Sequence, residues 1–250
     1  MKRNILNIFI LILSLIYANH AWCLNPEQVA VFMQKIANGL RTPQDEVAAR
    51  AFNYRLGHLR NLDAINQAII QATPGAINIY VINTLIRRLP FYLAQQVFHE
   101  TRVLGQGDVV MYNAYITTAS YVGQFAEARR AFNEVRERRL ANMITYNVYI
   151  TAAGNAELFD EAQIAFNETR ERRLTDVATY NAYITAAGNT GQFDEAQMAF
   201  NEARERRLAN VITYAAYITA AGNARQFFEA QMAFNKAVHG LWFLHRSQHL

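Results

Sequence analysis

MITYNVYITAAGNAELFDEAQIAFNETRERRLTD, residues 143–176, decides the fold, because it recurs. MYNAYI begins at Met111, TYNVYI at Thr145, TYNAYI at Thr179 and TYAAYI at Thr213, each 34 residues after the last. The units run 109–142, 143–176, 177–210 and 211 to about 241, and the second and third share 24 of their 34 residues. Self-similarity at a fixed period near this length marks a repeat architecture in which no unit can bury its own apolar face.

Each unit reads as two helices. Tyr146, Tyr149, Ile150 and Ala153 fall at i, i+3, i+4 and i+7, the stripe of a first helix. Gly154-Asn155 has the composition of a helix C-cap. Phe159, Ala162, Ala165 and Phe166 make the stripe of a second helix, with Asp160 and Glu161 in its first turn and Arg170, Arg172 and Arg173 near its end. That polarity complements the helix dipole. Glu134–Arg138, Glu168–Arg172 and Glu202–Arg206 are i, i+4 pairs in the favoured orientation. Alanines repeated in register (Ala152, Ala153, Ala162, Ala165) suit close helix approach. The expected fold is all-α, an α-solenoid of stacked antiparallel helix pairs.

Upstream the period decays. Val81–Ile86 followed by Ala94 and Val97–Arg102 predicts a shortened unit over 79–108, with Pro90 opening its second helix and FHETR paralleling FNETR at Phe166–Arg170. Residues 24–78 read as a helical N-terminal cap or degenerate repeats, with helices over 26–40, 43–56 and 62–71.

The motif V-x-T-Y-N-x-x-I, then F-D-E-A-x-x-x-F, then E-x-R-E-R-R-L-x-D/N closely resembles the pentatricopeptide repeat, well over 109–241 and weakly over 79–108. The tetratricopeptide pattern, with Trp and Leu-Gly in its first helix and a late Pro, is not present in the four units. The resemblance implies a right-handed superhelix that binds single-stranded RNA on its concave face, one base per repeat. It also implies that selection rests on the residue after the first Tyr of helix one and on the last residue of the repeat. Those positions are Asn113 with Asn142, Asn147 with Asp176, and Asn181 with Asn210. In the family, Asn with Asp favours uracil and Asn with Asn a pyrimidine. Residues sandwiching the base are then Val110, Ile144 and Ile212, with Ala178 a small fourth. Several positions depart from the family pattern. The units are one residue short, the inter-repeat Gly and Pro are missing, Asn155, Asn189 and Asn223 stand where a Lys is usual, and Ala215 replaces the selecting residue. From the residues alone, Asn113, Asn147 and Asn181 have a second reading as helix-start caps or as bonds to the preceding repeat.

Residues 1–23 have the layout of a signal peptide: Lys2 and Arg3, an apolar run from Ile5 to Ala18, then Ala18 and Ala21 as cleavage positions. The expected route is export, to a periplasm or secreted, and an uncleaved membrane anchor is the alternative. The formal charge of +4 comes from 24 basic and 20 acidic residues, and two of the basic ones lie in this leader, so the remainder carries +2. The arginines that remain alternate with glutamates, the pattern of a solvated helix face rather than a phosphate track. A single cysteine, Cys23, excludes an intramolecular disulfide framework and Cys-rich zinc modules. His245 and His249 supply two imidazoles without a third ligand in the tail 242–250, and Trp242 and Phe243 there are expected to cover the end of the solenoid. No nucleotide-loop, nucleophile-elbow or zinc-protease motif occurs, so neither enzyme nor cofactor is expected. The two partner classes are single-stranded RNA and a protein held in the concave groove of a monomer.

Overall fold

The computed structural model describes the backbone of residues 24–246 and the side chains of residues 24–238. The leader with Cys23, and the side chains of Trp242, Phe243, His245 and His249, lie outside the described residues. Among those described there are thirteen α-helices and no strand. They form two compact units, and the division falls after Tyr115.

The first unit holds α1 (Pro26–Arg41), α2 (Glu46–His58), α3 (Leu62–Ile70), α4 (Ile79–Arg88), α5 (Phe91–Val103) and the start of α6 (Val109–Tyr121). Its helix starts are written in short polar side chains. Asn25 forms a capping box with Gln28, while Asp45, Asn61 and Asn78 accept from backbone N–H groups two or three residues on. Tyr112, Tyr115, Phe32, Ile36, Leu40, Leu56, Ile69 and Ile77 are among its large buried side chains. Gly39 allows Ile77 in, since a methyl there would stand 2.7 Å from the Ile77 Cβ. The pair α4–α5 spans the stretch read from the sequence as a shortened repeat. Pro90 caps α5, and Phe98 stacks on Tyr115 at 3.9 Å. The shortening falls on α4, which has ten residues where the later first helices have thirteen.

The second unit holds the rest of α6, then α7 (Phe125–Glu137), α8 (Met143–Asn155), α9 (Phe159–Glu171), α10 (Val177–Asn189), α11 (Phe193–Glu205), α12 (Val211–Asn223) and α13 (Phe227–Arg246). The first helices of successive repeats stack on one another, α10 against both α8 and α12, and each packs on its own second helix. This is the solenoid arrangement, with stability built between neighbours. Phe132 stacks on Tyr149 at 3.8 Å, Phe166 on Tyr183 at 4.0 Å and Phe200 on Tyr217 at 4.1 Å, each joining one repeat to the next. Such pairs add about 0.5–1.5 kcal/mol each beyond the area they bury. The stripe alanines Ala152, Ala153, Ala162 and Ala165 are all buried.

Three features differ from the sequence expectation. Gly154 does not cap α8: it lies inside the helix, which ends at Asn155 with Ala156 as cap. Its job is contact, because a methyl on Gly154 would sit 2.6 Å from the Ala186 Cβ of α10, and one on Gly188 2.7 Å from that of Ala220. The left-handed residue comes later, at Glu157, Gly191 and Arg225, and between repeats at Arg139, Arg173 and Arg207, where the first unit has Gly105. Finally, α13 runs on to Arg246, past the expected end of the fourth repeat near 241.

Candidate nucleic-acid interface

Five of the positions that the resemblance marks as selecting lie in the second unit as a ladder, one rung per repeat. The last residue of each repeat is the N-cap of the next first helix, which fixes it tightly. Asn142 Oδ1 accepts from the Thr145 backbone N–H at 3.1 Å, and the Thr145 hydroxyl accepts from the Asn142 N–H at 3.1 Å. Asp176 does the same with Thr179 at 2.8 and 3.2 Å, and Asn210 with Thr213 at 3.0 and 3.1 Å. The boxes are N-x-x-T or D-x-x-T in sequence, a signal that was available to find them. The capping role thus falls to Asn142, Asp176 and Asn210 rather than to Asn147 and Asn181, which sit one turn into α8 and α10.

Asn147 meets the cap of the following repeat. Its Nδ2 donates to Asp176 Oδ1 at 3.3 Å, bringing together the two positions that the family resemblance pairs. A flipped amide would set two oxygens against each other, so the carboxylate fixes the orientation. Burial pushes the Asp176 carboxyl up, but the hydroxyl and backbone N–H of Thr179, with Asn147, outweigh it and hold it below its ordinary value. Asp176 is therefore an anionic acceptor at neutral pH. Asn147 Oδ1 and Asn181 Oδ1 are buried without a hydrogen-bond partner. At the next rung Asn181 and Asn210 replace amide-and-carboxylate with two amides, and at the last Ala215 offers no polar group. Asn113 lies in the first unit, on α6, and is buried.

The expected platforms are out in solvent. Ile144 is 53% exposed and Ile212 63%, and Val110 in the first unit is also exposed. Ala178 is exposed. Beyond the asparagines the first-helix face carries Thr151, Asn155, Thr185 and Asn189. Asn155 donates to Ser120 Oγ at 3.3 Å and Asn223 to the Gly188 carbonyl at 3.3 Å, so these residues bind the neighbouring repeat.

Electrostatically the face is plain. α8, α10 and α12 contain no Asp, Glu, Lys or Arg at all. The arginines lie on the second helices and in the turns between helices, and several of those on or capping the second helices are paired. Glu134–Arg138, Glu168–Arg172 and Glu202–Arg206 close at 2.7, 2.7 and 2.8 Å, as their spacing predicts. Arg136 also reaches Glu168 at 2.8 Å and Arg170 reaches Glu202 at 3.5 Å, linking successive repeats, which single-helix spacing could not show. Glu161 takes the Tyr149 hydroxyl at 2.7 Å and Arg129 at 3.0 Å. No cluster of three metal-ligating side chains occurs among the described residues, nor any helix long and apolar enough to cross a membrane.

A model of the pentatricopeptide repeat domain matches residues 96–156 and 172–224. The fold is similar to that of two structures of the pentatricopeptide repeat protein PPR10 in complex with an 18-nucleotide psaJ RNA element, one of them a cysteine-substituted form. Each has a TM-score of 0.56 and 20% identity, covering 94% of this chain and 38% of the other. PPR10 from maize is similar with a TM-score of 0.54 and 24% identity, over 75% of this chain and 27% of the other. The chain thus spans well under half the length of these proteins. No curated protein sequence matches it. Over residues 96–156 and 172–224 its 34-residue units thus match the pentatricopeptide repeat domain, and its fold is the solenoid of those structures.

Proposed function

We propose that this chain is a non-catalytic, monomeric binding protein for single-stranded RNA, and that it reads bases through the ladder Asn142, Asn147–Asp176, Asn181–Asn210. The observation that carries the reading is the Asn147–Asp176 hydrogen bond, 3.3 Å across two repeats and flanked by the exposed Ile144. A base slid between Ile144 and Ala178 presents its Watson–Crick edge to that pair. Uracil offers an N–H donor flanked by carbonyl oxygens, and an anionic Asp176 accepts from it through the oxygen that Thr179 leaves open. Cytosine presents an acceptor at the same atom and would meet a carboxylate badly. The RNA bound to PPR10 supports the partner class.

Because α8, α10 and α12 carry no charge, the binding energy comes from the bases and little from phosphates. The salt dependence should then be shallow, well under the slope of a protein that neutralises several phosphates. Fluorescence anisotropy with labelled oligouridine, oligocytidine and oligoadenosine tests this. Saturable binding with uridine preferred and a shallow salt slope is the expected result. Absence of binding to all three would overturn the reading.

The same lack of charge favours a second reading, an exported helical scaffold that holds an apolar protein segment on this face. The leader at residues 1–23 is proposed to route the chain for export, and N-terminal sequencing of the mature protein tests it. A start near Trp22 is expected, and a retained Met1 on a cytoplasmic protein would contradict it.

A further inference from the structure

In the second unit each second helix except the last is covered by the first helix that follows, always through the same atoms. Phe132, Phe166 and Phe200 stack on Tyr149, Tyr183 and Tyr217, and Phe125, Phe159 and Phe193 reach the same tyrosines at 5.7, 5.6 and 5.7 Å. Gln163 and Gln197 donate to the Tyr183 and Tyr217 hydroxyls at 3.5 and 3.2 Å. In the other layer Gly154 and Gly188 receive Ala186 and Ala220.

One period later the equivalent positions are Phe227, Gln231 and Phe234 on α13 and Gly222 on α12, and they stand open. Phe227 is 70% exposed and Phe234 52%. No atom of a neighbouring element among the described residues lies within 4 Å of a Cβ built on Gly222. Gln231 donates instead to Asn235 of its own helix at 3.2 Å. The last unit is also more apolar than its siblings: Phe228 replaces Asp160 and Asp194, and Val238 replaces Arg170 and Arg204. Phe228 and Val238 are both exposed.

We propose that the outer face of α12–α13 docks one helix of a partner protein that carries the pattern of the chain's own first helices, Tyr-x-x-Tyr-x-x-Ala, without charge on the docking side. The face continues an interface that the fold already repeats, so the interior repeats define its occupant. A tyrosine stacks between Phe227 and Phe234 with its hydroxyl on Gln231, and an alanine three residues on enters at Gly222. The proposal is independent of the RNA reading, which uses other residues.

The test uses the full chain and a labelled peptide with the sequence of residues 176–190, held helical by a staple across positions 178 and 185, both exposed in α10. Saturable binding is expected by fluorescence anisotropy. Phe234→Ser in the chain should weaken it at least tenfold, Gly222→Leu should abolish it, and a peptide with Ser at the Tyr183 position should not bind. Both chain substitutions fall at exposed positions, and thermal melting monitored by circular dichroism confirms that the variants remain folded. Absence of binding by the unmodified chain, or equal binding by its folded variants, would overturn the proposal. So would a concentration-dependent dimer in light scattering that Phe234→Ser dissolves and the peptide does not displace, because the occupant would then be a second copy of the chain.

Discussion

Gly188 and Gly222 stand at the same place in the same local sequence, Ala-Ala-Gly-Asn, near the ends of α10 and α12. Replacing either by Ala recovers helix propensity of about 1 kcal/mol at most. The difference lies in what the new methyl meets. At Gly188 it would stand 2.7 Å from the Ala220 Cβ and 2.9 Å from its Cα, and a backbone atom cannot rotate away. α10 and α12 would have to part, and overpacking of this kind costs about 1–3 kcal/mol. At Gly222 no neighbouring atom among the described residues lies within 4 Å. Gly222→Ala should therefore stabilise slightly, while Gly188→Ala should be neutral to destabilising, with a gap of about 1–3 kcal/mol between them. For a chain of this size each kcal/mol moves Tm by about 2–4 °C. Thermal unfolding of the two full-length variants by far-ultraviolet circular dichroism gives the ranking directly. Gly154→Ala, whose methyl would meet Ala186 at 2.6 Å, serves as an internal repeat and should fall with Gly188→Ala. Equal stabilisation by Gly188→Ala and Gly222→Ala would refute the close packing of the first helices.

Further outcomes concern the turns, caps and tyrosines. Arg139, Arg173 and Arg207 hold φ of 58, 56 and 59°, so replacing each by Gly relieves a left-handed strain of about 1–2 kcal/mol against a glycine entropy of about 0.5–1 kcal/mol. A rise in the urea midpoint is expected, and the same change to Lys should give none. Asp176→Ala removes a capping box and should cost about 1 kcal/mol at neutral pH. Because the folded carboxyl titrates below its unfolded value, its contribution is present above that value, about 3.9, and is lost as pH falls through the folded one, so wild type and variant should converge in acid urea melts. Burial, and then the neighbouring Glu168 or Glu202, push the Tyr146 and Tyr180 hydroxyls up to about 12, and burial with Glu161 or Glu195 raises Tyr149 and Tyr183 as well. Their stabilisation is intact below about pH 10 and is lost as pH rises beyond it, so tyrosinate absorbance from these rings should appear together with loss of helix rather than before it.

The 34-residue period made the solenoid legible, since the same Tyr, Ala and Phe positions recur where each unit must bury a face. The helix dipole and i, i+4 spacing placed the Glu–Arg pairs correctly for the same local reason. Contacts between repeats were not legible in a single helix. Gly154-Asn155 has the composition of a cap, and only the approach of Ala186 shows that the glycine serves packing. The Arg136–Glu168 link and the Tyr149–Glu161 bond depend on the stacking geometry in the same way. The ladder lay between these cases. Resemblance paired Asn147 with Asp176, and the fold brings them to 3.3 Å, but the caps proved to be Asn142, Asp176 and Asn210, a role written in the Thr three residues on.

The base-reading role of that pair is tested most directly by Asp176→Asn. Asn142 and Asn210 already cap their helices as Asn would cap at 176, so the fold is preserved while the anionic acceptor is replaced by an amide. Anisotropy against RNA oligomers that differ only in uridine or cytidine at one central position should show uridine preferred by the wild type. The variant should lose most of that discrimination, by about tenfold, the equivalent of about 1.4 kcal/mol. Unchanged discrimination in a folded Asp176→Asn chain would contradict the claim that Asn147 and Asp176 read the base.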